Sequence, residues 1–331
     1  MPSPLSRLLL LSSAQRDRLE MFLQMLLAEN RTLNLTTITD PDAVRVRHFE
    51  DSLAAVPLIE QMAAAHRPAP HSGESGLSLI DVGSGAGFPG LPLAIALPWC
   101  RVTSLEATGK KARFQEKVAA ALGLRNVTVI HDRAESLAHR DEYREAFDVA
   151  AARALAALPV VAELTLPFVK VGGHAIAWKG PGADPEIAPA QAACEKLGGA
   201  TITQFPYILP DTHALPDIHA LPDIHALPDI HALPDIHALP DIHALPDIHA
   251  LPDIHALPDI HALPGIHALP DIHALPDVAS RAPLACPGPS AGPPSALPSG
   301  LRFIVFEKTG LTPQLYPRPA HLLRKRPLRK A

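Results

Sequence analysis

From His213 the hexapeptide His-Ala-Leu-Pro-Asp-Ile recurs almost unchanged as far as Val278, with Gly265 replacing one aspartate. Proline at every sixth position removes a backbone donor and pushes the preceding leucine out of the helical region. Neither a long helix nor a central strand can run through such a segment. The repeating unit has no aromatic ring and no regular glycine, so it offers little for a solenoid to stack. A disordered, polyproline-like chain with turns at Pro-Asp is predicted. Residues 279–300, mostly Ala, Pro, Ser and Gly, extend it, so the whole reads as an insertion from about residue 210 to residue 300. Eleven histidines flanked by aspartates invite a metal-binding reading. Near-identity between units points instead to tandem duplication, and no metal is expected.

With 37 prolines and only 4% aromatic residues, the part that folds must be smaller than 331 residues. Cys100, Cys194 and Cys286 are far apart and odd in number, which argues against a disulfide framework or a zinc site and for a reducing cytoplasm. Four leucines after Arg7 are too few for a signal-peptide core, and no apolar run reaches membrane-spanning length, so no membrane association is expected. The net charge of -5 hides a division: residues 209–278 carry eleven aspartates and no lysine or arginine, leaving 29 basic against 23 acidic residues elsewhere, a net of +6. Much of that excess lies in a tail where Arg318, Arg324, Lys325, Arg326, Arg329 and Lys330 occur without an acid, a modest pointer to nucleic acid.

Without the insertion a regular α/β alternation remains. A helix is predicted over 13–27, where Leu19, Phe22, Leu23, Leu26 and Leu27 share a side, and another over 41–61. Strands are predicted over 77–82, 101–105, 126–130, 147–151 and 173–178, separated by helices such as 111–122 and 158–168. The fold class is therefore α/β, with a parallel, doubly wound, Rossmann-like sheet behind N-terminal helices. Segments 201–207 and 301–307 would pair as an antiparallel hairpin, which puts the repeat in a hairpin loop, where closure entropy grows slowly with length. The chain divides into a helical segment (1–76), a core (77–209), the insertion (210–300), a final strand (301–315) and the basic tail (316–331).

Residues 81–90 (Asp-Val-Gly-Ser-Gly-Ala-Gly-Phe-Pro-Gly) follow the first strand directly. Glycines there let the backbone turn tightly and approach a ligand, beside the amides of the next helix, which points to a nucleotide-like cofactor. Residues 85–90 also spell the dinucleotide fingerprint, with Glu106 near the distance for ribose. Position favours another reading: Asp81, Gly83, Gly85 and Gly87 give DxGxGxG, the pattern of class I methyltransferases, and Pro89 would interrupt the tight helix start that a pyrophosphate uses. S-adenosyl-L-methionine carries a sulfonium and an amino group and no phosphate, so a carboxylate such as Asp81 suits it. Glu106 could accept from both ribose hydroxyls.

The resemblance then becomes specific. Residues 34–37 (NLTT), 47–53 (RHFEDSL), 81–92, 109–114 (GKKARF), 133–135 (RAE), 152–154 (ARA), 178–180 (WKG), 312–318 (TPQLYPR) and 325–328 (KRPL) resemble the bacterial small-subunit (16S) rRNA guanine-N7 methyltransferase family, also called glucose-inhibited division protein B. The resemblance covers about 12–207 and 301–328. It implies that Gly83 and Phe88 contact S-adenosyl-L-methionine, that Ala134 and Glu135 border its adenine, that Glu106 holds ribose, and that Arg153 lies across the pocket as a positioning group. RNA contacts are assigned to Arg47, to His48 with its neighbour Asp51, to Lys110 and Lys111, and to Arg318, Arg324, Lys325 and Arg326, the tail gripping phosphate. The implied partner is small-subunit ribosomal RNA or the ribosomal subunit, met by a cytoplasmic monomer. Glu29 stands where the family commonly has tryptophan, Glu106 replaces a commoner aspartate, Pro319 and His321 break the basic tail motif, and the repeat is foreign to the family.

Guanine N7 is a lone-pair nucleophile, so the implied reaction needs positioning rather than a base. The sequence lacks both an Asn/Asp-Pro-Pro-aromatic motif for amino-group methylation and a cysteine beside the fourth strand for attack on a pyrimidine. The alternative within the same chemistry is a class I methyltransferase of a protein or small molecule, which would ignore salt, whereas RNA binding weakens with it. A non-catalytic interaction or metal-binding protein built on the repeat would lose its activity when 210–300 are deleted.

Overall fold

A computed structural model of the chain describes residues 6–65, 76–210, 300–325 and 327–328. The expectation of a disordered repeat therefore lies outside the described residues, as does the whole insertion apart from residues 210 and 300.

Five parallel strands, β1 (Ser78–Val82), β2 (Arg101–Glu106), β3 (Val127–His131), β4 (Phe147–Arg153) and β5 (Val169–Lys179), are followed by β6 (Ala200–Pro206) and β7 (Arg302–Lys308) in a seven-stranded sheet of order β3-β2-β1-β4-β5-β7-β6. The order reverses beside β1, so the loops after β1 and β4 face each other at the carboxyl edge, where doubly wound sheets bind ligands. β7 runs antiparallel between β5 and β6, pairing Ile176 with Val305 on one side and Thr203 with Val305 on the other. The two segments expected to form a hairpin do pair.

Side chains alternate across the sheet with the strand period of two. Ile80 and Val82 join Ala150, Ala152, Ile304 and Phe306 on one face, under α8 (Leu158–Thr165) and α9 (Asp184–Lys196). Leu79, Val149, Ala151, Ile176 and Val305 face the other way. α5 (Gly90–Ala96) and α6 (Gly109–Ala121) flank the sheet's β1–β2–β3 half, and the short α7 (Ala134–Leu137) follows β3.

The N-terminal helix α1 (Ser13–Leu33) is longer than predicted. Ser12 and Gln15 form a reciprocal capping box, and Asn34 ends the helix in the left-handed region at φ 50°. Its face of Leu19, Phe22, Leu23 and Leu26 is buried against Phe88, Leu91 and Phe114. The single helix predicted over 41–61 is broken instead into α2 (Pro41–Val44), one π-helical stretch (Arg45–Glu50), α3 (Asp51–Leu53) and α4 (Val56–Ala65). The wider turn buries Val46, Phe49 and Glu50. Glu50, fully buried, accepts from the backbone amides of Arg7 and Leu8 and from the Ser6 hydroxyl, tying the start of the chain to this segment. Among the described residues no helix is long and apolar enough to cross a membrane.

Candidate active site

The glycine loop after β1 is held from three sides. Gly83, Gly85 and Gly87 have φ of 73°, 61° and 99°, values that side chains strain to reach. A Cβ on Gly83 would come within 2.5 Å of the Leu155 Cδ1, whereas one on Gly85 would meet nothing within 4 Å and so faces open space. From α6, Gln115 donates to the Ser84 hydroxyl and to the Gly85 carbonyl, both at 2.8 Å, and accepts from Ser104. Sequence reasoning missed Gln115. Its signal was a polar residue in the buried stripe of Ala112, Phe114 and Val118.

Asp81 is fully buried. Its Oδ2 accepts from the Gly90 amide at 2.8 Å, while Oδ1 has no hydrogen-bond partner among the described residues. Burial pushes its carboxyl up to about 7, opposed by the Gly90 amide and by the charge of Arg153. Asp81 is not among the residues lining the cleft beside the loop, and its Oδ1 is buried as well as unpartnered. Glu106 lies at the end of β2, with Oε2 accepting from Gly85 at 2.8 Å and Oε1 from Thr108 at 2.7 Å. That amide of the loop already faces a carboxylate, so a pyrophosphate would meet negative charge there. The geometry favours a phosphate-free cofactor with cationic groups over a dinucleotide.

A cleft of about 420 Å³ opens beside the loop, bordered by Gly83, Leu105, Ala134, Glu135 and Leu155. Gly83, Ala134 and Glu135, assigned to the cofactor from sequence, are thereby brought together. Phe88 is not among the residues lining this cleft: its ring stacks on Phe22 (5.1 Å) and His48 (4.6 Å).

A second cavity, of about 330 Å³, shares Leu155 and Ala156 with the first and is lined also by Asp51, Arg153, Trp178 and Tyr207. Arg153 belongs to this cavity rather than to the cleft. Its guanidinium donates to Asp51 Oδ2 (2.8 Å), the Arg47 carbonyl (2.9 Å) and His48 Nδ1 (3.0 Å), and lies 5.2 Å from the Phe88 ring centre. Tyr207 donates to Asp51 Oδ1 at 2.6 Å, and Trp178 Nε1 donates to the Asp51 carbonyl at 2.9 Å. Burial and the Asp51 carboxylate push the Tyr207 phenol up, so it stays a donor. Burial and the adjacent Arg153 charge hold His48 down to about 4. The imidazole is neutral, and with Nδ1 accepting from Arg153, Nε2 donates to the Thr36 hydroxyl at 2.8 Å. The sequence did not mark Tyr207, which reaches the site from just beyond the edge strand β6.

The residues assigned to RNA divide. Arg47 and Lys110 are exposed, and Lys111 is half-buried. Lys110 and Lys111 sit in the first turn of α6, where the helix dipole disfavours cations; among the described residues neither makes an ion pair. His48 is committed to the Arg153 network and is no free phosphate donor. Arg318 is engaged within the fold: its guanidinium is bidentate to Glu163, whose fully buried carboxylate requires a partner. Arg326 and the side chains of Arg324 and Lys325 lie outside the described residues. Glu29, at a departure from the family pattern, pairs with Lys117 at 2.7 Å across α1 and α6. Among the described residues, no group of three or more His, Cys, Asp or Glu side chains is placed to hold a metal ion.

The model of the GidB family, rRNA small subunit methyltransferase G, matches residues 15–207. The ribosomal RNA small subunit methyltransferase G of Leuconostoc citreum is 42% identical over 201 residues, 61% of this chain and 80% of that protein. Its namesake in Halalkalibacterium halodurans is 42% identical over 200 residues, 60% and 79% of the two chains. Among solved structures, a SAM-dependent methyltransferase from Aquifex aeolicus aligns at a TM-score of 0.32 and 14% identity, over 44% of this chain and 71% of that one.

Proposed function

The chain belongs to the GidB family, rRNA small subunit methyltransferase G, and is an S-adenosylmethionine-dependent methyltransferase of 16S ribosomal RNA; we propose that the atom it methylates is N7 of a guanine. The observation that carries the choice of atom is the engagement of His48, the imidazole beside the second cavity. It is neutral, half-buried and bonded through both ring nitrogens, so it is not free to take a proton from an amino or ring N–H group. N7 of guanine has no proton to lose. When bound, the cofactor supplies an electrophilic methyl group on a sulfonium.

The protein's share is placement. Gly83, Ala134 and Glu135 border the cofactor cleft, Leu155 stands between the cleft and the second cavity, and Arg153 with Asp51 and Tyr207 forms a polar wall for a purine edge. Holding two reactants in line is worth several powers of ten in rate without any acid or base. Arg47, Lys110 and Lys111 lie at the carboxyl edge of the sheet around this opening and suit the phosphates of the same RNA. We infer a monomer acting on the ribosomal subunit in the cytoplasm.

The test is transfer of labelled methyl from S-adenosylmethionine to undermodified small ribosomal subunits, followed by strand cleavage specific for N7-methylguanine. A single cleavage site, absent with Gly83→Asp, is the result this reading requires. Label incorporated at a position resistant to that cleavage would overturn N7 while leaving the methyltransferase in place.

A further inference from the structure

The cofactor cleft is lined in part by an element that lies beyond the residues matched by the family model. After β7 the chain runs on to the short helix α10 (Ala320–Lys325), whose Ala320, His321 and Leu323 line the same cleft as Ala134 and Glu135. Leu323 is 2% exposed and belongs to the same apolar cluster as Val160 and Leu164, which also line the cleft. His321 is exposed at the rim.

The segment leading to α10 is fixed. Arg318 donates to buried Glu163 through its backbone amide (3.0 Å), Nε (2.7 Å) and Nη2 (2.6 Å). His139 reaches the Pro317 carbonyl at 2.9 Å, and Arg144 donates to the carbonyls of Thr312 (2.7 Å) and Tyr316 (3.0 Å). An arm meant only to grip phosphate would not spend its first arginine on an interior carboxylate. This one is braced so that the residues after it cover the cleft.

We propose that α10 is a wall of the cofactor site, with Leu323 packing on, and His321 capping, the adenosyl part of S-adenosylmethionine opposite Ala134. The inference rests on the cofactor assignment above and on no property of the RNA. A flat, weakly polar ring gains most from a slot that is apolar on both sides, and Leu323 supplies the side that the sheet and its loops leave open. His321 is one of the positions at which the tail departs from the family pattern.

Binding of S-adenosylhomocysteine to the full-length protein, by isothermal titration calorimetry without RNA, tests it. The His321→Ala protein is expected to bind at least threefold more weakly, and Leu323→Ala at least fivefold, with the ligand-free melting temperature of His321→Ala unchanged. Hydrogen exchange of the backbone amides of 320–325 in the unaltered protein should slow at saturating ligand, a readout that survives if Leu323→Ala fails to fold. Exchange in 320–325 indifferent to ligand, with the affinity of His321→Ala within twofold of the unaltered protein, would overturn the proposal. Failure of the unaltered protein to bind S-adenosylhomocysteine would overturn the cofactor assignment instead.

Discussion

Arg153 donates to His48 Nδ1 at 3.0 Å, and the same guanidinium reaches Asp51 at 2.8 Å and the Arg47 carbonyl at 2.9 Å. A planar fork is needed to serve three acceptors on one short segment, and an ammonium cannot reproduce it. Arg153→Lys is therefore expected to lower single-turnover methyl transfer by roughly 10–100-fold, the scale of a slight misplacement of reacting groups. Because Arg153 lines the second cavity and not the cleft, cofactor affinity should change far less than the rate. Single-turnover assays beside calorimetry separate the two. An equal loss in both would return Arg153 to the cofactor.

His48 and Asp81 load the pH dependence of stability in opposite directions. His48, held at about 4 against a usual 6.5, contributes stability that is complete above 6.5 and lost as pH falls through 4. Asp81, raised to about 7 from a usual 3.8, does the reverse: its contribution is complete below 3.8 and lost as pH rises through 7. Between about 4 and 6.5 the two slopes oppose each other. Relative to the unaltered protein, His48→Gln should gain stability on acidification from pH 7 to pH 5, and Asp81→Asn should lose it, in urea unfolding at each pH. Slopes of the same sign in both variants would contradict the assignment of either charge state.

Gly83→Ala places a methyl group 2.5 Å from the Leu155 Cδ1 and a side chain at φ 73°. The second of these costs about 1–2 kcal/mol whatever the surroundings. The first is relieved if Leu155 is shortened. Cofactor affinity should fall tenfold or more in Gly83→Ala and recover only in part when Leu155→Ala is added, a coupling that a double-mutant cycle reads directly. Full recovery would mean that the loop tolerates its backbone strain.

Lys110 and Lys111 open α6 at the end of a helix where positive charge is disfavoured, so their replacement should not destabilise the fold. Changing both to alanine is expected to reduce the slope of log affinity for ribosomal RNA against log salt by about 0.7–0.9 for each phosphate that is no longer neutralised. Cofactor affinity should stay as it was. A salt slope unaltered in the double variant would remove both lysines from the RNA surface.

The sheet was largely legible because its strands are runs such as 79–82 and 149–152, buried on both faces, and the glycine loop because φ above zero demands glycine. Other parts were hidden for physical reasons. The helix α9 buries Ala190, Ala192, Ala193 and Cys194 and holds Pro189, so no large apolar stripe announced it. The π-helical stretch depends on Glu50 turning inward to meet amides some forty residues away. Arg318 reads as part of a solvated charge run until Glu163 is found beneath it; the clue lay in Glu163 itself, a lone acid amid Val160, Val161, Ala162 and Leu164. The second cavity escaped because Asp51, Arg153 and Tyr207 converge from three distant stretches of sequence.

The strand β7 lies inside the sheet although it is the last to be made. Its partner β5 ends at Lys179 and its other partner β6 at Pro206, while β7 begins only at Arg302. At a synthesis rate of about 5–20 residues per second, β5 stands with a bare edge for roughly 6–25 seconds while the intervening chain is made. A bare edge is a template for another strand, and the strand that fits it best belongs to the next copy of this chain on a neighbouring ribosome. The length of the hexapeptide array is thus a clock on the nascent protein. Every unit added lengthens the interval in which strand exchange between copies competes with closure of a chain upon itself.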